Sequence, residues 1–399
     1  MKFAYFGFPH LGGTYSVFRH LHAGLGPAGI DVRWLGCGPG AHAALSSPAF
    51  RAEGERGAVA GRRDDDDRTS ARAMIDAIEG GGFDGVFVNV CADRVQTNVV
   101  RYLSADIARV MIVHNITPGT YAAARTIRDH VHATVGVSER IRADLVGRHG
   151  FAQDRTVVIP NGIDAAGMIP NDRVRRGADL RLLYLGRVED QAKGVFWLPR
   201  ILRDVPDSMT LTIAGDGPDL ARLKQRCAGL ESRVRFLGAV RPAAVGALLA
   251  EHDVLLMPSR FEGFPVTLVE AMTAGCVPVA SLIRGVTDMA IRDGENGFLF
   301  PVGDTAAAAG ALARLVKDPS ALQRLSAAAS HTARDQFGVA LMAERYRDLL
   351  DGLARALPSV AAPLDLARWR FPSGLRPGLR TYLPTFIKNS VRTLRERQA

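Results

Sequence analysis

Cysteine is scarce: there are four in 399 residues, at positions 37, 91, 227 and 276, with no C-x-x-C pair and no histidine cluster beside them. That excludes a disulfide-stapled scaffold and a thiolate zinc site of ordinary spacing, and leaves reduced thiols in a cytosol as the expectation. Long apolar runs are also missing. No stretch approaches the roughly 18–20 residues that span a bilayer. The N-terminal MKFAYFGFPHLGG is interrupted by Gly7, Pro9 and His10, too early for the apolar core of a secretory leader. A cytoplasmic protein is expected, with any membrane contact peripheral and on the inner face. Aromatics are 7 % of the chain and nowhere in its body alternate with basic residues, which argues against a stacking platform for nucleic acid. The one excess is of positive charge, +9 overall. Residues 364–399 hold eight Lys/Arg and two Asp/Glu, so the remainder is close to neutral. A nucleic-acid partner is therefore not expected.

What is present is a soluble globular composition, 47 % hydrophobic and 23 % charged, over a length that suits two domains. Short apolar runs alternate with helix-period segments. Strands are expected at 2–7, 31–35, 84–90, 109–114, 131–137 and 156–159, and again, after the turn PNGID (160–164) and an Arg-rich stretch at 170–179, at 180–186, 209–215, 233–238, 253–257 and 277–280. Helices near 194–203, 217–228, 241–251 and 265–274 separate the second series, and three more follow at 304–317, 319–335 and 337–353. Buried strands joined by crossover helices mean parallel sheets covered on both faces. The fold class is α/β, with two Rossmann-like domains over residues 1–168 and 172–353 and a basic, proline-containing extension over 354–399. The run DDDD at 64–67 reads as a solvated loop.

The stretch PSRFEGFPVTLVEAMTAG (258–275) follows a strand, where open parallel sheets bind ligands. Gly263 permits close approach of a ligand, and Pro265 suits a first helical turn whose free N–H groups favour an anion. Glu262 and Glu270 are eight positions apart, roughly 12 Å on an ideal helix, which is too far for the carboxylate pair of a retaining glycosidase. Glu262 near a reacting centre and Glu270 accepting from a ribose diol is the expected division. In YLGRVEDQAKGV (184–195), Arg187 and Lys193 bracket a loop at a strand end, a guanidinium and an ammonium suited to a diphosphate. Gly12 and Gly13 lie between the first strand and helix, where close ligand approach is wanted, although no G-x-G-x-x-G is present. His114 closes a strand and could meet a substrate hydroxyl. AGDGPD (214–219) reads first as a structural turn.

These motifs, with HN (114–115), VSERIRADL (137–145), VIPNGID (158–164) and GR…KG (186–194), occur in an order and spacing that resembles the family 4 glycosyltransferases of the GT-B fold, from residue 1 to about 353. The resemblance implies two Rossmann-like domains facing a cleft, a nucleotide-sugar donor held mainly by the C-terminal one, a saccharide or lipid-linked acceptor, retention of anomeric configuration, and no obligatory metal or other cofactor. By the same resemblance Glu270 holds the ribose, and the backbone from Gly263 through Phe264, Pro265 and Val266 to Thr267 holds sugar and diphosphate. Glu262 contacts the hexose, Arg187 and Lys193 neutralise the diphosphate, His114 stands at the reacting centre, and Gly12 and Gly13 line the phosphate and acceptor side. The segment after VPVAS departs from the family, with Gly285, Val286, Thr287 and Asp288 where a Gly/Pro-Glu step is frequent. A nucleotide-sugar epimerase and a non-catalytic sugar-nucleotide binder are the alternatives.

In the extension, Leu383, Phe386, Ile387, Val391 and Leu394 fall at helical spacing among Lys388, Arg392, Arg395 and Arg397. Two roles are open for this basic amphipathic helix: packing across the domains, or docking on an anionic membrane through residues 383–397.

Overall fold

The computed structural model describes residues 1–10, 12–90, 93–166, 168, 179–378 and 384–398. The chain forms two compact units. In the first, β1 (Lys2–Phe6), β2 (Asp31–Cys37), β3 (Gly57–Ala60), β4 (Gly85–Asn89), β5 (Ala108–Val113), β6 (Ala133–Gly136) and β7 (Thr156–Val158) build one parallel sheet in the order β3-β2-β1-β4-β5-β6-β7. In the second, β8 (Arg181–Leu185), β9 (Thr210–Ala214), β10 (Val234–Gly238), β11 (Val254–Met257), β12 (Val277–Leu282) and β13 (Phe298–Pro301) are ordered β10-β9-β8-β11-β12-β13, again all parallel. Strands such as β4 and β11 are buried at every position, because helices cover both faces. The expected α/β class with two Rossmann-like halves is what the molecule has. Chain order reverses between β1 and β4 and between β8 and β11, so each sheet has one switch point where its carboxyl edge opens a crevice.

Two strands were not expected. GAVA in β3 is short and, Val59 apart, made of glycine and alanine, which have weak strand preference, and FLFP in β13 ends on a proline; both are edge strands, where few cross-strand contacts are needed. The acidic run also does more than solvate a loop. Asp66 accepts from Thr69 N–H (2.7 Å) to cap the helix Asp67–Glu79, and Asp65 accepts from Arg62 N–H (2.7 Å).

The units divide the chain differently from the expected domains. The first comprises Met1–Gly162 and Val339–Tyr382, the second Ile163–Gly338 and Leu383–Ala399. The helix Val339–Arg355 thus belongs with the N-terminal sheet. Its stripe of Met342, Ala343, Tyr346, Leu350 and Leu353 is buried, Tyr346 lies edge-on to Phe87 of β4 with ring centroids 5.7 Å apart, and it packs along the helix Gly13–Leu25. Each such apolar side chain contributes roughly 1.5–3 kcal/mol at most.

The extension is not one body either. Residues 356–378 strap the first unit: Ala361 N–H donates to Asp129 O (2.7 Å), Leu364 N–H to Arg101 O (2.8 Å), and Trp369 packs on Tyr102 with centroids 4.9 Å apart. The helix Thr385–Gln398 lies on the second unit. Leu383, the side chain of Phe386, Cys91 and most of the Arg-rich stretch lie outside the described residues; Cys37, Cys227 and Cys276 are buried and in no disulfide.

Candidate functional site

The second unit gathers its predicted residues at the β8/β11 switch point. β8 ends at Leu185, and Tyr184 Oη donates to Arg187 O (2.6 Å), fixing the turn that follows. Behind it AGDGPD acts as a buttress, as expected. Val188 N–H donates to Asp216 O (2.9 Å) and Asp219 N–H to Val188 O (3.1 Å), while a Cβ on Gly215 would collide with Gly186 O. The chain then makes one helical turn, Asp190–Lys193, closed by Gly194 in the left-handed region (φ 60°). Any side chain there would strike Pro258 O and the Trp197 ring, so this glycine is required both by conformation and by space.

Closure of that turn aims Lys193 at the loop after β11. Lys193 Nζ donates to both oxygens of Glu262, at 2.7 and 2.9 Å, and Ser259 Oγ donates to Oε1 at 2.6 Å. Glu262 and Ser259 are buried; the Lys193 side chain is 29 % exposed, so the ammonium remains reachable by a ligand. Arg187 behaves differently. Its side chain is 67 % exposed and stands 3.7 Å from Glu189, a contact worth little in water. The two cations expected as one clamp therefore have distinct states: Lys193 is engaged with Glu262, and Arg187 is loosely held.

The helix begins at Val266, after Pro265, so only Glu270 lies on it, and helical rise does not set its distance from Glu262. The backbone N–H groups of Glu262, Gly263, Phe264 and Thr267 donate to no acceptor among the described residues, whereas Val266 N–H turns back to Phe264 O (3.1 Å) and Leu268 N–H to Pro265 O (3.0 Å). Unsatisfied donors at a helix start, beside an ammonium, form a seat for an anion. Glu270 makes no side-chain hydrogen bond among the described residues, and burial raises its pKa. In the departing segment, Thr287 Oγ1 donates to Ser281 O (2.9 Å) and accepts from Ile283 N–H (2.8 Å), and Asp288 accepts from Val286 N–H (3.0 Å), so both side chains serve their own turn.

In the first unit His114 follows β5, one strand beyond the β1/β4 switch point, to which Asn89 ties it. Asn89, the last residue of β4, donates Nδ2–H to Phe6 O at 2.7 Å, which turns its Oδ1 toward His114 Nε2, also at 2.7 Å. His114 must therefore donate from Nε2, and the neutral ring keeps a lone pair on Nδ1. Burial lowers its pKa to about 4. Gly12 is the N-cap of the helix Gly13–Leu25; a Cβ there would press on the His10 ring at 2.7 Å, whereas one on Gly13 would meet open space. Sequence reasoning missed Asn89 and Ser259, which orient His114 and Glu262. Among the described residues, no three His, Cys, Asp or Glu side chains are grouped to hold a metal ion.

The lowered histidines predict a pH dependence. His132, which accepts from Arg109 N–H (2.9 Å), also has its pKa lowered to about 4, by burial and by Arg109. Below about pH 6.5 an unfolded histidine takes up a proton that the native form refuses. The contribution of these two residues is thus complete above about pH 6.5 and is lost as pH falls toward 4. The melting temperature is expected to drop between pH 7 and 5, and less so in His132→Gln; equal slopes in the two proteins would contradict this account.

Comparison with known proteins gives a consistent result. Residues 11–166 match the family model described as Glycosyltransferase Family 4, and residues 179–318 the model described as Glycosyl transferases group 1. A phosphatidyl-myo-inositol mannosyltransferase of Mycobacterium leprae is 36 % identical over 184 residues, 45 % of this chain and 49 % of the relative. A glycogen synthase of Mycobacterium tuberculosis is 36 % identical over 186 residues, 45 % of this chain and 44 % of the relative. The chain therefore spans about half the length of the curated relatives it matches. Among solved structures, Anabaena HepE in complex with UDP and glucose superposes with a TM-score of 0.74 at 19 % identity, covering 88 % of this chain and all of the other. At that identity the likeness speaks for the fold.

Proposed function

The chain belongs to the family 4 glycosyltransferases of the GT-B fold, and we propose that it moves a hexose from a nucleoside-diphosphate donor to a saccharide or lipid-linked acceptor, with retention at the anomeric carbon and no obligatory metal. Synthesis of bacterial surface polysaccharide or glycoconjugate is the setting that we infer. The observation that carries this reading is the β8/β11 edge, where Lys193 pairs with Glu262 and the backbone N–H groups of Glu262, Gly263, Phe264 and Thr267 have no acceptor among the described residues.

When the bond from the anomeric carbon to the donor phosphate breaks, negative charge grows on the leaving diphosphate and the sugar becomes oxocarbenium-like. Lys193, Arg187 and the backbone donors are placed to take up that charge, the role a divalent cation fills elsewhere. Glu270 accepts from the ribose diol, and Glu262 orients the hexose. We prefer a front-face displacement: the acceptor oxygen bonds to the anomeric carbon on the face the diphosphate leaves, and a phosphate oxygen receives the acceptor's proton. We assign the carboxyl edge of the first sheet, with Gly12, Gly13 and His114, to the acceptor and phosphate side. Similarity to a mannosyltransferase and a glycogen synthase supports hexose transfer.

The test is a hydrolysis and transfer screen against UDP-, GDP- and ADP-sugars with EDTA present, reading the product anomer by NMR. Transfer with retention is expected. An epimer formed from donor alone would assign the chain to the isomerases, and binding without turnover would make it a non-catalytic binder.

The lipid-linked alternative for the acceptor is supported by the C-terminal helix. Ile387, Val391 and Leu394 are exposed at 38, 48 and 57 %. On an ideal helix they share one face, with Lys388 and Arg395 roughly 80–100° to one side of it and Arg397 to the other. An anionic inner leaflet matches that pattern, each basic residue near the surface adding about 1 kcal/mol. In flotation with phosphatidylglycerol-containing vesicles the full chain is expected to float. A chain ending at residue 378, which keeps the strap, and a variant with Ile387, Val391 and Leu394 all changed to Ser are expected to remain in the pellet. Flotation of either to the wild-type extent would remove the membrane from the proposal.

A further inference from the structure

The C-terminal helix is attached to the second unit in an unusual way: its polar side faces inward. Arg392 lays its guanidinium over the Phe261 ring, 3.6 Å from the centroid. Thr393 Oγ1 accepts from Arg260 Nη1 at 3.1 Å, and Arg397 Nε donates to Val302 O at 2.7 Å. Beside these contacts lies an open groove of about 500 Å³ lined by Asp190, Arg260, Asn389, Thr393, Leu394 and Arg397. A helix held by a few directed contacts next to an open groove is not filling a core. Two of the three contacts fall on Arg260 and Phe261, the residues between Ser259 and Glu262.

Arg260 is the junction. It is 9 % exposed and donates from each of its three nitrogens: Nε to Asp190 O (2.9 Å), Nη2 to Asp190 Oδ2 (2.9 Å) and Nη1 to Thr393 Oγ1, while the plane stacks on Trp197 at 3.8 Å. Its backbone N–H donates to Ala192 O (2.8 Å). One side chain thus joins the turn that carries Lys193, the loop that carries Glu262, and the helix. Lysine could supply the charge but not the planar fork that satisfies Asp190 twice and Thr393 at once.

We propose that Arg260 is the positioning residue of the donor clamp, and that the docked C-terminal helix, by engaging its third nitrogen, Nη1, and covering Phe261, holds Lys193 and Glu262 in register for a diphosphate. This deepens the donor-site reading and rests on it. The helix is then part of the donor site without touching the donor.

The experiment uses the full chain and two readouts: affinity for UDP and GDP by calorimetry, and hydrogen–deuterium exchange of 188–196 and 258–267. The double variant Thr393→Val with Arg392→Ala leaves Arg260 and the clamp intact. It is expected to weaken nucleotide affinity about five- to tenfold, the range of a coupled contact network, and to speed exchange in both segments, with a melting temperature within about 2 °C of wild type. Thr393→Ser, which keeps the hydroxyl, is expected to behave as wild type. Arg260→Lys is expected to lose about tenfold or more in affinity. If it fails to fold, the double variant decides. Unchanged affinity and unchanged exchange in the double variant overturn the proposal. If the wild-type chain binds neither nucleotide, the donor reading has failed, and the exchange measurement alone then judges whether the helix holds the two loops.

Discussion

Lys193→Ala is expected to lower kcat/KM for the nucleotide donor by about 10²–10³, the cost of removing one preorganised charge-stabilising donor from a developing oxyanion. Two losses combine. The leaving diphosphate forfeits an ammonium, and Glu262, 8 % exposed, keeps the Ser259 hydroxyl as its one side-chain partner among the described residues. An under-satisfied buried carboxylate destabilises the fold by about 1–3 kcal/mol, so a lower melting temperature accompanies the kinetic loss. The two effects separate in a double-variant cycle. Adding Glu262→Gln to Lys193→Ala removes the unpaired charge and is expected to restore part of the melting temperature, while kcat/KM stays at the level of the single variant or below. Arg187→Ala, from an exposed and loosely held side chain, is expected to cost less than Lys193→Ala, because a solvated cation stabilises a diphosphate less than one partly withdrawn from water. Wild-type kinetics in Lys193→Ala would falsify the clamp.

Most of the sheet architecture is legible in apolar runs, since a strand buried on both faces must be continuously apolar. The unread strands, GAVA and FLFP, sit at sheet edges, where that requirement relaxes. The helix Val339–Arg355 shows a different limit. Its stripe declares that one face is buried and is silent about the partner, so adjacency in sequence assigned it to the second sheet, although Tyr346 packs on Phe87 of the first. The extension shows a third. Its uniform composition conceals a change of partner between a strap anchored by backbone hydrogen bonds and Trp369 and a helix anchored by Arg392 and Arg397.

At the site, residue types at strand ends were readable one by one, because the carboxyl edge of a parallel sheet is where ligands bind. Their pairing was not. Lys193 and Glu262 are 69 positions apart and meet only because β8 and β11 are neighbours. His114 was found as a strand-end histidine, yet its tautomer depends on Asn89, an ordinary-looking residue whose amide is oriented by a carbonyl on a third strand. Arg260 carries no signal in a sequence, since its three partners come from separate parts of the chain.

His114→Ala is expected to lower kcat about 100-fold, the low end of what a positioned proton-handling group contributes, while the KM for the donor changes less than threefold. The split follows from the ring's state. A neutral imidazole that donates from Nε2 to Asn89 offers Nδ1 only as an acceptor, so it can hold a sugar hydroxyl that sharpens in the transition state but adds little charge to ground-state binding. Because burial holds its pKa near 4, the pH profile of kcat is expected to show no limb near 6.5. Asn89→Asp tests the tautomer. A carboxylate beside Nε2–H raises the histidine pKa, and the imidazolium that forms has donors on both nitrogens and no acceptor left. The variant should therefore lose activity at neutral pH and regain part of it as pH rises, provided its melting curve shows that the buried carboxylate is tolerated. A loss in Asn89→Asp that does not change with pH would mean that His114 works through its shape, and that the Nδ1 lone pair takes no part in the reaction.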